Sequence, residues 1–447
     1  MTCWTSFFNK AALLIALLLL AGICGCARYR TEITVFIPSP GETEKETEAG
    51  GREEAAPLPG DILIAVLPVE NVSATDAPLD AIEQSIRIRL ARSGFRLLDG
   101  AAFEQFRKKN RMRYIGGLNG VLGEAMQREL GVDAVLITSL EAYRETDPPQ
   151  ISLIARLVAS GPNPEIIWID SIGLSGDESR GLLDLKLIRD PGVLLDKAVD
   201  GLIGSMVAVV QTKPSREGGH LSFAELWKTG GGGTATPSRL NRKYLPYDYF
   251  RSPLIDPEKE YAVAVLPMLD LAVRKQAGII AQLHYVRELF NSTDFNILEP
   301  GVVREGLLEI RAIMPFGPSL AETDLITSDQ LLGVDLVFAG KVFDYQNTSF
   351  NPKVDFSMQV IEKTSRRVVF GTRTFSTGLD RVFFYDFGRV YTAHNLLREM
   401  AKVTVQLLTA PSRPWDRPED FIVHRLPWSG EPPARNYVMV AAAGRKK

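Results

Sequence analysis

The sequence predicts an α/β (α+β) chain of two repeated domains, each a mixed sheet of about five strands with packed helices. Three recurrences carry that expectation. The apolar segment Ile62-Leu63-Ile64-Ala65-Val66-Leu67-Pro68 returns as Tyr261-Ala262-Val263-Ala264-Val265-Leu266-Pro267. Phe95-Arg96-Leu97-Leu98-Asp99 returns as Phe295-Asn296-Ile297-Leu298-Glu299. Leu130-Gly131-Val132-Asp133, followed by Tyr143, returns as Leu332-Gly333-Val334-Asp335, followed by Tyr345. Order and spacing hold at an offset of about 200 residues, so a duplication sets the domain count. Each copy, at about 150 residues, is long enough to bury a core of its own.

Within each copy the hydrophobic period switches in the same order. A strand ending at Pro68 leads to a helix with Leu79, Ile82, Ile86 and Leu90 on one face. Ile279, Leu283, Val286 and Phe290 repeat the pattern. A strand at 95–98 and a helical stretch from Ala101 to Lys109 follow. A further helix near 121–130 ends at Gly131, a natural left-handed cap. Asp133 and Asp335 come next and are expected to hydrogen-bond turn amides. Strand 134–143 pairs with 151–158 and then 165–174. The last two are joined by the turn Gly161-Pro162-Asn163-Pro164, replaced in the second copy by Lys363-Thr364-Ser365-Arg366. Closing helices are expected at 191–211 and about 388–408. The order βαβα(α)βββα implies a mixed sheet with helices against it.

At the amino terminus, Lys10 precedes the run Ala11 to Leu20, which is too short to span a bilayer and reads as a secretory signal. Ile23-Cys24-Gly25-Cys26-Ala27 resembles the bacterial lipobox, with Cys26 in the lipidated place; Cys24 fits less well. The alternative is an ordinary cleaved signal with incidental cysteines. By the lipobox resemblance, Ala27 implies sorting to the outer membrane. The mature chain then has a single, lipidated cysteine, which excludes disulfides and thiolate metal sites. The expected organisation is a lipoprotein signal peptide (1–25), an acidic disordered tether (26–60), a first domain (61–211), a linker (212–258), a second domain (259–410) and a C-terminal strap (411–447). Tyr244, Tyr247, Tyr249 and Phe250 suggest that the end of the linker packs against a domain. A net charge of −3 gives no electrostatic footprint for nucleic acid.

The Ala-Val-Leu-Pro strand, the Phe-x-Leu-Leu-Asp strand and the step from Leu130 to Leu136 resemble a known family. So does the pair of strands Ile151 to Val158 and Glu165-Ile166-Ile167-Trp168. The family is that of the amino-terminal domain of TolB and the periplasmic domain of the curli-secretion lipoprotein (CsgG-like). The resemblance covers about 62–210 and, more loosely, 261–408. It implies a fold and an envelope lipoprotein rather than a chemistry. A curli-type channel adds long amphipathic hairpins that build a barrel, and neither copy has a spare pair of such strands.

No catalytic constellation stands out. His220, His284, His394 and His424 have no ligand-pair spacing, and packing is the expectation rather than a metal. Gly173-Leu174-Ser175-Gly176 lacks the flanking glycines of a nucleophile elbow, and Asp386-Phe387-Gly388 lacks the companion motifs of a kinase. Gly116, Gly117, Gly120 and Gly123 read as a flexible loop. The surface feature singled out is the basic run Arg107, Lys108, Lys109, Arg111 and Arg113, which is either a solvated helix end or a contact for an acidic partner or anionic lipid headgroups. The expectation is a non-enzymatic, lipid-anchored periplasmic protein without cofactor or metal. It would be an interaction platform in secretion, export or envelope assembly, with envelope or secretion proteins, the membrane and further copies of itself as partners. The alternatives are a ring component of an outer-membrane channel and a ligand sensor using a cleft between the copies.

Overall fold

The computed structural model describes residues 62–146, 148–178, 187–212, 240–256, 259–311, 320–382, 386 and 388–410. The signal peptide, Cys26, the tether, the linker from 213 to 239 and the C-terminal strap lie outside these residues. The first repeat runs β1 (Leu63–Val66), β2 (Glu70–Asn71), α1 (Leu79–Arg92), β3 (Arg96–Leu97), α2 (Gly100–Lys109), α3 (Gly120–Leu130), β4 (Ala134–Arg144), β5 (Gln150–Ala159), β6 (Ile166–Ser175) and α4 (Pro191–Thr212). The linker contributes β7 (Asp248–Arg251). The second repeat continues β8 (Ala262–Val265), β9 (Leu269–Asp270), α5 (Ala277–Ser292), β10 (Asn296–Ile297), α6 (Pro300–Glu309), α7 (Leu320–Thr327), β11 (Leu336–Gln346), β12 (Lys353–Glu362), β13 (Arg367–Thr377) and α8 (Ala393–Thr409).

The two sheets share one plan. The first has six strands in the order β3-β1-β4-β5-β6, with β2 beside β4; the second has seven, β10-β8-β11-β12-β13-β7, with β9 beside β11. In each, the three strands joined through helices are parallel and the long hairpin strands are antiparallel. The two-residue β2 and β9 and the linker strand β7 bring the strand count above the five expected per sheet. The linker aromatics do pack: Tyr247 stacks on Phe375 with ring centroids 6.3 Å apart.

The recurrent acids have structural duties. Asp99 caps α2 by accepting from the amides of Ala101 and Ala102, and Glu299 caps α6 by accepting from that of Gly301. Gly131 ends α3 in the left-handed region at φ 63°, as expected. Asp133 and Asp335 act at longer range than the turn amides foreseen for them. Asp133 Oδ2 accepts from the Leu63 amide at 2.8 Å, and Asp335 Oδ2 from the Ala262 amide at 3.0 Å. Each thus ties the start of the central strand to the strand beside it. Helix α8 starts at Ala393, later than expected, because Thr392 caps it through the Asn395 amide.

Helices α1 and α4 cover one face of the first sheet, with Ile82, Ile86, Leu202 and Met206 against Ile64, Leu136 and Leu153. On the other face, α2 and α3 cover the β1–β4 side through Phe103, Phe106 and Met126. The remainder of that face, with Ile154 and Ile169, joins the core of the second repeat. Helix α5 therefore packs on both β6 and β11. Nearly every residue from Ala277 to Leu289 is buried, whereas its counterpart α1 exposes Asp80, Gln84 and Ile88. A helix buried all round marks a position between two layers. Both repeats belong to one compact unit.

Removing either strand tie should destabilise its sheet without changing the fold. Asp133→Ala and Asp335→Ala should each cost about 1.5–3 kcal/mol in urea unfolding, the range for a lost hydrogen bond to a charged group. The ties share no partner, so the double variant should show nearly the sum.

Candidate functional site

The seam between the repeats gathers the buried charges. Strand β4 carries a bulge between Leu140 and Ala142, which leaves Glu141 without a cross-strand partner. The second repeat has the same bulge between Val342 and Asp344, with Phe343 in that place. There the ring lies under the Arg373 guanidinium, 3.6 Å from its carbon to the ring centroid. The duplication has kept the backbone device and changed the side chain.

Two helices of the second repeat close on Glu141. His284 comes from α5 and His394 from the first turn of α8. His284 Nε2 lies 3.3 Å from Glu141 Oε2, and His394 Nδ1 lies 2.5 Å from the same oxygen. The two rings meet edge to face with centroids 4.6 Å apart. All three side chains are at most 1% exposed. Gly173 on β6 makes room, since a Cβ there would fall 2.6 Å from His394 Cδ2. Arg274 donates to the Glu141 carbonyl and lies 4.6 Å over the Tyr345 ring. Burial alone would raise the Glu141 carboxyl, but the two imidazoles override it and hold the group well below the ordinary carboxylate range. Burial pushes the His394 imidazole down to about 4 against the pull of Glu141. His394 donates Nδ1–H to the carboxylate. Glu141 Oε1, His284 Nδ1 and His394 Nε2 are buried with no hydrogen-bond partner among the described residues.

A second buried contact is an ion pair. Arg156 of β5 donates to Glu299 Oε1 from Nε at 2.9 Å and Nη2 at 2.8 Å, and from Nη2 to the Gly116 carbonyl at 2.6 Å. Glu299 Oε2 accepts from the Leu118 amide at 3.3 Å as well as from its own cap contact. The glycine-rich segment expected to be a flexible loop is thus packed into the seam. A Cβ on Gly117 would meet Gly301 Cα at 2.7 Å. Along β6, Arg287 Nε donates to Asp170 Oδ1 at 2.9 Å, and Asn291 and Asn395 donate to the edge carbonyls of Ile169 and Gly173. These side chains satisfy a strand edge that would otherwise be open. Burial would raise the Asp170 carboxyl, but Arg287 and the Ser171 amide bring it below its usual range.

The basic run divides in two. Arg107 pairs with Glu104 at 2.8 Å and Lys109 with Glu129 at 2.9 Å. Lys108, Arg111 and Arg113 have no ion-pair partner among the described residues. Arg111 and Arg113 line an open cleft of about 330 Å³ at the seam, with Tyr114, Asn119, Arg304 and Glu305. The Arg304 guanidinium lies 4.2 Å over the Tyr114 ring, and Asn119 donates to Glu305 at 2.9 Å. Burial, with Glu70 adding to it, pushes the Tyr114 hydroxyl up to about 12. The second repeat thus adds Arg304 to a cluster that the sequence placed in the first alone. His220 and His424 lie outside the described residues.

Arg156→Met leaves Glu299 buried and unpaired, and should cost about 3–5 kcal/mol in chemical denaturation. Adding Glu299→Gln should restore part of the loss by removing the charge. Asp170→Asn should cost about 1–3 kcal/mol at neutral pH. Because the Asp170 carboxyl is depressed, the wild-type advantage is full above the ordinary aspartate range. It should shrink as pH falls through the folded-state value.

Among solved structures, the chain is similar to the PelC dodecamer from Paraburkholderia phytofirmans at 15% identity and a TM-score of 0.25, covering 36% of this chain and 96% of that one. It is similar to lipoprotein GNA1162 from Neisseria meningitidis at 24% identity and a TM-score of 0.25, covering 32% and 98%. The LpoB C-terminal domain from Escherichia coli matches at 19% identity and a TM-score of 0.21, covering 28% and 87%. No protein-family model matches the sequence, and no curated protein matches it.

Proposed function

We propose that this chain is a non-enzymatic lipoprotein of two CsgG-like or TolB-N-like domains, anchored through Cys26 to the periplasmic face of the outer membrane. It serves as an interaction platform in secretion, export or envelope assembly. The observation that carries this reading is the cleft at the seam. Arg111, Arg113 and Arg304 converge there, and the acid among its lining residues, Glu305, is already engaged by Asn119. Guanidinium groups fork onto carboxylates, and a concave site of this size suits side chains better than a flat bilayer. The partner is therefore an acidic segment of an envelope protein. No helix among the described residues is long and apolar enough to cross a membrane.

Crosslinking from isolated envelopes tests this. Arg111→Glu with Arg113→Glu should abolish capture of an acidic partner, and the wild-type capture should weaken with added salt. Arg107→Glu should keep most of it, because Arg107 is already paired. Unchanged capture by the double reversal would overturn the reading, and equal binding to anionic vesicles alone would make the cleft a headgroup site. Cys26→Ser should release the chain from the membrane fraction.

One observation favours the ring alternative as a second reading. The seam is heterologous, with helices of the second repeat on the sheet of the first. The matching face of the second sheet bears Phe375 at 36% exposure, in the place of Gly173. Exposed Gly192, two residues before Leu194, stands where His394 stands before Leu396. The large-on-small contact within the chain would become small-on-large between chains, and such a head-to-tail contact closes a ring if its rotation permits. Phe375→Asp should then reduce the particle mass of the extracted protein to that of one chain.

A further inference from the structure

We propose that Glu141, His284 and His394 form a divalent-metal site, of the class that takes zinc, which fastens the two repeats together. The three come from β4 of the first repeat and from α5 and α8 of the second, so an ion held by all three would bridge the seam. Two imidazole nitrogens and one carboxylate oxygen make a donor set of intermediate softness, suited to zinc and its neighbours rather than to calcium or magnesium.

The geometry is close to what such an ion needs. The three donor atoms lie within 4.8 Å of one another. Zinc bonds of about 2.0–2.2 Å place tetrahedral donors roughly 3.3 Å apart. His284 Nε2 and Glu141 Oε2 are separated by 3.3 Å. The 2.5 Å contact between His394 Nδ1 and Glu141 is a hydrogen-bond distance. An ion would replace that proton, and His394 would draw back slightly, as a ligating imidazole must be deprotonated at the bound nitrogen.

Two further observations point to a ligand. First, the carboxylate is wholly buried, and no Lys or Arg among the described residues pairs with it. Arg274 is turned to the Glu141 carbonyl instead. A buried carboxylate with no Lys or Arg beside it is costly, and a dication bound by the same three side chains would compensate it. Second, Glu141 Oε1 is buried without a partner, which offers a second carboxylate oxygen to complete a fourth position. Ser152 lies in register with Ala142 on β4 and Gly173 on β6, and its Oγ is also buried and unpartnered. That hydroxyl is placed on the strand between the two and could receive the outer N–H of a ligating imidazole.

The test uses the full chain, extracted in detergent, stripped with EDTA and given zinc alone. Elemental analysis after desalting should find one zinc per chain. X-ray absorption should show two imidazoles and one carboxylate, and the thermal midpoint should rise with zinc. His284→Gln and His394→Gln, checked for fold by circular dichroism, should each lose affinity by more than about a hundredfold, beyond the loss typical of an outer-shell change. Zinc uptake that survives in these variants, or wild-type coordination by oxygen alone, would overturn the proposal. If the variants fail to fold, the wild-type chain decides by itself. Failure to take up stoichiometric zinc, or zinc that leaves the midpoint unmoved, means that the three residues form a hydrogen-bonded clasp without metal.

Discussion

The far side of β5 and β6 has to be covered, and among the described residues the first repeat has no helix left to cover it. Helices α1 and α4 occupy one face of its sheet, and α2 and α3 reach only the β1–β4 side of the other. The cover comes from α5 and α8 of the second repeat, and everything polar on that face must then be satisfied away from water. Arg156 finds Glu299 and Glu141 meets two imidazoles, while at the β6 edge Arg287 reaches round to Asp170 and two asparagines take the open carbonyls. Such contacts add little net stability over an apolar fit, yet a shifted helix would leave each charge stranded. They hold the two repeats in one registration.

The two copies show which features a duplication must keep and which it can exchange. The bulge on the central strand, the acid that caps the helix after β3 or β10, and the aspartate that ties neighbouring strands occur in both. Even the left-handed turn at Arg111 recurs at Arg311, with φ of 51° and 50°. All of these set backbone geometry. The exchanged positions lie on the shared face: Glu141 for Phe343, Gly173 for Phe375, Gly192 for His394. One copy of that face is buried in the seam and the other is not, so each has diverged to suit its own surroundings.

Much of this was legible in the sequence because strands and helices announce themselves locally. The long hairpin strands followed from their apolar runs and the turn Gly161-Pro162-Asn163-Pro164, and α3 from its helical run and Gly131. The linker strand β7 was only hinted at by its aromatics, since a four-residue edge strand has too little pattern to declare itself. The seam was out of reach. Glu141, His284 and His394 come from distant segments, and nothing in their own neighbourhoods marks them. The signal that existed was a mismatch between copies: histidines on the second copy's helices with no counterpart in the first. The Gly116–Gly123 segment misled for a related reason. Glycines that permit close packing and glycines that permit motion look alike until their neighbours are known.

A chain is made from its amino end, so the first sheet takes shape before α5 and α8 have been synthesised. For that interval its uncovered face is open to water and to other nascent chains. The same residues that later meet inside the seam then serve a different purpose. Glu141 and Arg156 are charges on the bare face of long strands, the arrangement by which solitary sheets avoid sticking to one another. The polar seam thus acts as a chaperone written into the sequence, keeping the early half of the protein soluble until the later half arrives to replace the water.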